Sequence, residues 1–293
     1  MAALRPIPPS PTGRAFDDEI HSVTAQHTAR QNKLLAALPE DDFERLLPDL
    51  EPFSMPLDWA VHAAGNREEY LYFLTSGIVS RFYVTQSGAS AEFAVTGNEG
   101  VIGVASFLGG NSTPSQAVVL STGYSYRLPA DRLKHEFAHD GPLPRLLLRY
   151  TQALIAQIGL ISACKRHHAL EQRLCRWILT CLDRLHTDEL AITQGLIATM
   201  LGVRREAVTK SAGNLQQARL LQFNRGRMVV LDRPGLEAHA CECYTVVKRE
   251  YVRLLAEYWK LEASSGRRRV IIRRSSVATC ASRDFWVENS LQS

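Results

Sequence analysis

Two short amphipathic helices separated by a single glycine are encoded in Ile192-Thr-Gln-Gly-Leu-Ile-Ala-Thr-Met-Leu-Gly-Val-Arg-Arg-Glu-Ala-Val-Thr-Lys-Ser-Ala-Gly-Asn-Leu215. Thr193 is placed to cap the first helix, because its hydroxyl can accept a hydrogen bond from a backbone N–H of the first turn. Gly202 supplies the permissive backbone of a tight turn, and a second helix is expected to begin at Arg204. The spacing predicts a helix-turn-helix.

The first turn of the second helix is expected to be exposed, with long polar side chains. In a helix-turn-helix this turn can enter the major groove of DNA. Arginine can bind guanine there through two hydrogen bonds, and glutamate can accept one from cytosine, so Arg205 and Glu206 suit base recognition. A following segment, Leu220-Leu-Gln-Phe-Asn-Arg-Gly-Arg-Met-Val-Val-Leu231, predicts two short strands whose turn carries arginines suited to phosphate contact. The candidate DNA contacts are Thr193, Gln194, Arg204, Arg205, Glu206, Thr209, Lys210, Arg225 and Arg227.

The charge distribution supports a polyanionic partner for this half of the chain. The net charge of +4 divides into −5 up to Cys164 and +9 from Lys165 onward. A basic region of this kind suits double-stranded DNA. A basic surface that serves only for solvation, or an interaction module for an acidic protein or a membrane, is the alternative.

The preceding part of the chain has a different pattern. Residues 52–128 alternate aromatic and β-branched segments with glycines, and residues 70–84 with the hairpin partner 91–95 are the clearest strands. This predicts an antiparallel roll or small barrel. After Pro129, apolar residues recur at helical spacing along Leu147, Leu154, Ile158 and Ile161, which predicts a long helix that packs on a second copy of the chain. The alternative is that this stripe covers the helix's own domain.

Taken together, these features resemble the Crp/Fnr family of bacterial transcription regulators. The resemblance covers residues 32–235 and rests most strongly on Ile192-Thr193, Gly202 and Arg205-Glu206-Ala-Val208. It implies that the family's DNA-reading residues fall on Arg205, Glu206 and Lys210, where the family usually has an arginine in the last position. It also implies a homodimer on a palindromic site, with RNA polymerase as a further candidate partner.

The expected fold class is α+β, with a cupin-like N-terminal β-roll sensor domain, a long dimerisation helix and a C-terminal winged helix-turn-helix. The predicted boundaries are a flexible leader at 1–30, the roll at 31–140, the dimer helix at 141–168, the winged helix-turn-helix at 169–235, a helix at 236–262 and a basic tail at 263–293. The tail arginines could add phosphate affinity, or the tail could have no task.

The resemblance does not extend to the effector site of cyclic-nucleotide-binding members. Those members carry a G-E-L sequence and then an R-S-A, in which the arginine neutralises the cyclic phosphate. The corresponding segments here are Gly103-Val104-Ala105 and Pro114-Ser115-Gln116-Ala117, which has no arginine. A buried phosphate without a cation is poorly compensated, so we expect no response to cyclic AMP, and the sequence names no effector.

Three motifs could carry other chemistry. His135-Glu136-Phe-Ala-His139 matches the H-E-x-x-H helix of zinc metalloproteases, but no third ligand follows at the usual spacing. His167-His168 could sense pH or stabilise a helix end. Cys241-Glu-Cys243 could be a metal or thiol element, but two cysteines two apart on one helix point in different directions. We therefore expect no catalysis, no metal and no cofactor.

Six cysteines in a chain of this size do not predict a disulfide framework, and buried reduced thiols are expected. No secretory signal is apparent among the first thirty residues, and no apolar run reaches the 18 residues that a membrane helix requires. The expected location is the cytoplasm, without membrane partners.

Overall fold

The computed structural model describes residues 28–138 and 141–264. Most of the predicted leader, almost all of the predicted basic tail and His139 of the H-E-x-x-H motif lie outside the described residues. The last residues of the predicted leader are folded, which corrects the expectation for 1–30. Ala29–Gln31 form a 3-10 helix with Ala29 buried, and the Arg30 guanidinium lies over the ring of Phe43 and pairs with Glu40.

Two short helices, α1 (Lys33–Ala36) and α2 (Glu40–Leu46), precede the roll. Asn32 connects the first of these helices, α1, to the roll. Its side-chain oxygen accepts hydrogen bonds from the N–H groups of Leu34 and Leu35, and its amide donates to the carbonyls of Leu74 and Gly100 at 2.8 Å each. One buried amide therefore caps α1 and fixes it to two parts of the roll.

The roll consists of two four-stranded antiparallel sheets. Its strands are β1 (Glu51–Met55), β2 (Ala60–His62), β3 (Tyr70–Leu74), β4 (Ile78–Val84), β5 (Ser90–Thr96), β6 (Val101–Ile102), β7 (Gln116–Ser121) and β8 (Gly123–Pro129). One sheet has the order β1-β8-β3-β6 and the other β2-β7-β4-β5. The predicted hairpin is confirmed, since β4 pairs with β5 from Val79 opposite Thr96 to Val84 opposite Ser90.

Aromatic side chains fill the space between the two sheets. The rings of Phe53, Trp59 and Tyr72 lie 5.0 to 5.7 Å from one another, two of the three pairs edge to face. Gly103, directly after β6, has a φ of 105° and lies against the backbone of β3. A Cβ at that position would lie 2.5 Å from the Tyr70 carbonyl oxygen. Only glycine permits so close a backbone approach.

Three helices follow: α3 (Ala130–Ala138), α4 (Pro142–His167) and α5 (Leu170–Leu185). The long helix α4 is the one that the sequence placed at 141–168. By length and composition alone, α4 could cross a membrane, because an 18-residue window within it has a mean hydropathy of 1.3. The sequence analysis considered only uninterrupted apolar runs and did not single out this helix, because polar residues such as Gln157 interrupt it. The helix packs instead against the protein itself, with residues such as Leu146, Leu147 and Tyr150 fully buried.

The C-terminal domain contains the predicted motif and one strand that the sequence analysis missed. Its elements after α5 are β9 (Glu189–Ala191), α6 (Gln194–Leu201), α7 (Arg205–Gln217), β10 (Leu221–Asn224), β11 (Arg227–Val230), α8 (Arg233–His239) and α9 (Cys243–Ser264). The small sheet has the order β10-β11-β9. Trp177 of α5 lies in a core that continues into the roll through Ile78 and Val95, so the two parts share one hydrophobic cluster.

The single helix predicted for 236–262 is two helices, α8 and α9, separated by residues 240–242. After this break α9 turns back and packs along α4. The Tyr251 hydroxyl donates to Gln157 Oε1 at 2.7 Å, and its ring meets that of Tyr150 edge to face.

This packing corrects the predicted dimer stripe. Leu147, Leu154 and Ile161 are buried by their own chain and Ile158 is half-buried, so the apolar spacing reflects contacts within the chain. The face of α4 that remains exposed is shifted by one residue. It carries Leu148 and Ile155, which are 51% and 64% exposed and lie seven residues apart.

Candidate nucleic-acid interface

The helix-turn-helix forms as the sequence predicts. The Thr193 hydroxyl accepts a hydrogen bond from the Leu196 N–H at 3.2 Å and caps α6. Gly202 ends α6 in the left-handed conformation, with φ of 66°. Because few residues other than glycine adopt this conformation without strain, the sharp turn into α7 is fixed locally.

The interior faces of α6 and α7 are apolar, which determines the faces that they turn outward. Ile197, Met200, Val208, Ala212 and Leu215 are buried in the shared core. The long polar side chains at the start of α7 are exposed, on its N-cap residue Arg204 and in its first turns at Arg205, Glu206, Thr209 and Lys210. The predicted base-reading side chains are therefore accessible in this chain.

The wing is a two-residue hairpin between β10 and β11, in which Asn224 lies opposite Arg227. Its turn residues, Arg225 and Gly226, both have positive φ, of 45° and 84°. This is the arrangement of a type I′ turn, which matches the twist of paired strands. Arg225 is thus presented at an exposed tip.

The structure brings the wing and the two helices of the motif together at the start of α6. The Ile192 N–H donates to the Gly226 carbonyl at 2.8 Å, and Thr193 lies beside the same turn. The neighbouring Gln194 accepts a hydrogen bond from the Thr209 hydroxyl of α7 at 2.7 Å. Residues from three separate segments therefore form one exposed surface.

Three of the predicted DNA contacts, Gln194, Thr209 and Arg227, are already engaged within the chain. Gln194 and Thr209 hold α6 and α7 together through their mutual hydrogen bond. The Arg227 guanidinium forms an ion pair with Glu189 of β9, the strand that the sequence analysis missed. A carboxylate beside Arg227 reduces the positive charge that it offers to a phosphate.

A separate cavity of about 340 Å³ opens in the roll, lined among others by Trp59, His62, Glu68 and Tyr70. The Glu68 carboxylate accepts a hydrogen bond from the Ala105 N–H at 2.7 Å, in the segment that corresponds to the family's G-E-L. Burial raises the pKa of Glu68, and burial together with nearby Arg81 lowers the pKa of His62 to about 4.

Arg81 is a buried residue of this region that the sequence analysis missed. It lies on β4 and donates a hydrogen bond to the Val101 carbonyl. Its distance along the chain from the Gly103 segment left no local signal that would have found it. The roll therefore does contain a buried cation, although outside the segment where the family pattern has one.

The H-E-x-x-H segment does not have the geometry of a metalloprotease base. Glu136 is buried and pairs with Arg45 and Arg132, each at 3.0 Å. A carboxylate held by two guanidinium groups binds the end of α2 to α3 and is not available as a general base.

The two cysteines of Cys241-Glu-Cys243 were expected to point apart, and this expectation is wrong because they are not on one helix. Cys241 precedes α9 and Cys243 begins it. Both lie beside Cys164 and His168 at the end of α4, with ligand atoms within 4.8 Å of one another. Hydrogen bonding from Cys241 lowers the pKa of the Cys164 thiol. A hydrogen bond with the Cys164 sulfur in turn raises the pKa of His168.

A winged helix-turn-helix joined to a β-roll of this kind defines a class of DNA-binding regulators. A model described as "Crp-like helix-turn-helix domain" matches residues 172–239, and one described as "Cyclic nucleotide-binding domain" matches residues 58–140. Together they match more than half of the 293 residues. The chain belongs to the Crp/Fnr family of transcription regulators.

Known proteins agree with this assignment. The chain is 24% identical over 217 residues to the global nitrogen regulator of Synechococcus elongatus, covering 71% of this chain and 97% of that protein. It is also 24% identical over 176 residues to the global nitrogen regulator of a Nostoc species, covering 57% of this chain and 78% of that protein.

Solved structures show the same fold. FixK2 from Bradyrhizobium japonicum has a TM-score of 0.58 at 19% identity, covering 66% of this chain and 98% of that chain. A CRP-family transcriptional regulator from Thermus thermophilus has a TM-score of 0.52 at 20% identity, covering 65% of this chain and 96% of that chain. Crp/Fnr regulators bind DNA and typically act as dimers.

Proposed function

We propose that two copies of this chain bind a two-fold symmetric DNA site, with the start of each α7 in the major groove. Arg205, Glu206 and Lys210 contact base edges, and Arg225 contacts the phosphate backbone from the wing. The observation that carries this proposal is the single exposed surface formed by the start of α6, the first turns of α7 and the wing. In a dimer the two α7 helices would lie roughly 34 Å apart, one turn of DNA.

The test begins with selection of bound duplexes from a random pool, which yields the preferred site. On that site, Arg205→Ala should cost about 1–3 kcal/mol and relax the preference at one base position. Arg225→Ala should weaken binding to specific and random DNA alike, because phosphates carry no sequence information. Arg249→Ala, an exposed arginine of α9, is the matched control and should change neither. Equal loss on both kinds of DNA for Arg205→Ala would refute its base-reading role.

The proposed dimer contact is the exposed face of α4 that contains Leu148 and Ile155. Exposed apolar side chains at a spacing of seven residues suit a seam between two parallel helices. Leu148→Glu should shift the chain from dimer to monomer in analytical ultracentrifugation. Leu108→Glu is the matched control, because Leu108 is an exposed leucine of the roll, outside α4. An unchanged dimer in Leu148→Glu would place the contact elsewhere.

We further propose that the roll does not take cyclic AMP. In the segment that corresponds to the family's G-E-L, the Ala105 N–H already donates a hydrogen bond to the Glu68 carboxylate. The segment that corresponds to R-S-A, Pro114-Ser115-Gln116-Ala117, has no arginine to neutralise a cyclic phosphate. The melting temperature of the protein should therefore not change with millimolar cyclic AMP. A ligand-dependent rise would contradict this, since a ligand stabilises the folded state that binds it.

The remaining parts of the proposal follow from the family. The protein acts in the cytoplasm without catalysis of its own, and RNA polymerase is the further partner to test. The ion pairs that occupy Glu136 favour this over a zinc metalloprotease. Salt-dependent preference for a palindromic duplex would separate a DNA regulator from a module that binds acidic proteins.

A further inference from the structure

Three cysteines and one histidine converge where α4, α5 and α9 meet. Cys164 lies in the last turn of α4 and His168 directly follows that helix, while Cys241 and Cys243 flank the start of α9. Their ligand atoms all lie within 4.8 Å of one another, although 77 residues separate Cys164 from Cys241. All three cysteines are buried and His168 is half-buried.

The distances within this cluster match those between the ligands of one tetrahedral zinc ion. With Zn–S bonds of about 2.3 Å and Zn–N bonds of about 2.0–2.1 Å, two sulfurs lie about 3.8 Å apart and a sulfur and a nitrogen about 3.6 Å apart. In the structure, Cys164 Sγ lies 3.4 Å from Cys241 Sγ, and Cys243 Sγ lies 3.7 Å from His168 Nδ1. A small adjustment of the side chains therefore places four ligands around one ion.

The orientation of His168 is that of a metal ligand. Its Nε2 atom lies 3.1 Å from the Glu242 carboxylate, and its other ring nitrogen, Nδ1, faces the sulfurs. Zinc-binding histidines commonly donate their second N–H to a carboxylate, which fixes the tautomer and the ring orientation. Glu242 lies between Cys241 and Cys243 in the sequence, so the segment that supplies two of the sulfurs also supplies the carboxylate that orients His168.

The surrounding charge suits three thiolates. One Zn²⁺ ion with three thiolates and a neutral imidazole carries a net charge of −1, which is costly to bury without a cation. Arg173 and Arg176 of α5 are buried next to the cluster, and Arg176 interacts with Cys164. Each of these arginines also buries an Nε atom that has no hydrogen-bond partner.

We propose that Cys164, His168, Cys241 and Cys243 bind one Zn²⁺ ion in a closed tetrahedral site. Four protein ligands leave no open position for a reacting water, so the site is structural and not catalytic. The ion would join the junction of α4 and α5 to the start of α9, and so would hold the DNA-binding domain against the long helix. This site is separate from the DNA-binding surface and does not depend on its assignment.

The first test measures the zinc content of the full chain, purified under reducing conditions without a metal-affinity tag. We expect one zinc per chain by mass spectrometry of the metal. His168→Ala should lose the ion, whereas His167→Ala, an exposed neighbour, should retain it. Cys164→Ser should lose it as well, and Cys175→Ser, a buried cysteine of α5 outside the cluster, should not. Circular dichroism shows which variants are folded.

A second test does not depend on removal of a buried ligand. Glu242→Gln alters an exposed side chain and should weaken zinc affinity about 10–100-fold, measured by competition with a chromophoric chelator. Cobalt bound in place of zinc should give the charge-transfer absorption of thiolate ligands.

Three results would overturn the proposal. They are failure of the reduced protein to bind zinc or cobalt, a disulfide between Cys164 and Cys241 in the purified protein, and iron with inorganic sulfide in place of zinc. Equal zinc affinity in Glu242→Gln and the unmodified chain would refute the role of the carboxylate.

Discussion

Replacement of Glu92 by glutamine should remove a pH dependence from the stability of this protein. Glu92 lies on β5 where the roll meets the DNA-binding domain. Its carboxylate is fully buried and accepts hydrogen bonds from the Trp177 ring N–H and the Ser80 hydroxyl, at 2.7 Å each. Burial, partly offset by these two bonds and by Arg176 and Lys165, raises its pKa from 4.5 to about 7.

The size of the effect follows from this difference in pKa. A pKa that is raised in the folded state favours the protonated form there, so the stability that Glu92 contributes is greatest below pH 4.5 and is lost as the pH rises through 7. A tenfold change in an acid dissociation constant corresponds to about 1.4 kcal/mol, so the total loss is about 3 kcal/mol. Glutamine resembles the neutral acid, because its oxygen can accept from Trp177 and its amide can donate to Ser80.

The assay is urea unfolding of the full chain at pH 5 and pH 8.5, followed by tryptophan fluorescence and circular dichroism. The free energy of unfolding of Glu92→Gln should exceed that of the unmodified protein by about 1 kcal/mol at pH 5 and by about 3 kcal/mol at pH 8.5. Glu44→Gln, an exposed glutamate of α2, controls for other titrations. The reasoning is refuted if the difference between Glu92→Gln and the unmodified chain is the same at both pH values.

Three further substitutions test the contact of α5 with the roll, the packing of the long helix α4, and the turn of the helix-turn-helix. Arg184→Met leaves Glu99 buried without its cation, 2.7 Å away in the native pair, and should lower the free energy of unfolding by about 3–5 kcal/mol; a loss below about 1 kcal/mol would contradict this. Tyr251→Phe removes the hydrogen bond to buried Gln157 and should cost about 1–3 kcal/mol by urea unfolding, and an unchanged midpoint would show that water replaces it. Gly202→Ala forces a side chain into the left-handed conformation and should cost about 1–2 kcal/mol, visible as a lower melting temperature; an unchanged melting temperature would contradict this.

The DNA-binding motif was predictable because each of its signals is local. A threonine that caps a helix, a glycine at a left-handed position and a two-residue turn with Gly226 all act on backbone within a few residues. The roll was predictable for a related reason, since its strands alternate and its hairpin from β4 to β5 joins neighbours in the sequence. The third wing strand, β9, is only three residues long and has no such pattern.

Other features depend on contacts between distant parts of the chain. Apolar spacing along α4 identified a buried stripe but not its partner. In the structure Leu147 belongs to a core cluster that also contains Tyr251 and Leu255 of α9, and the Tyr251 hydroxyl donates to Gln157 of α4, 94 residues away in the sequence. Spacing alone does not distinguish a helix of the same chain from one of a second copy, because both bury the same residues.

The amino-acid sequence by itself determined the helix-turn-helix, the wing and the family, because these rest on short-range backbone preferences. Only the tertiary structure decided which face of α4 is exposed, which carboxylates are paired, and that Cys164 and His168 meet Cys241 and Cys243. The physical reason is that helix and turn preferences act over a few residues. Burial and side-chain proximity depend instead on how distant segments return to one another in space.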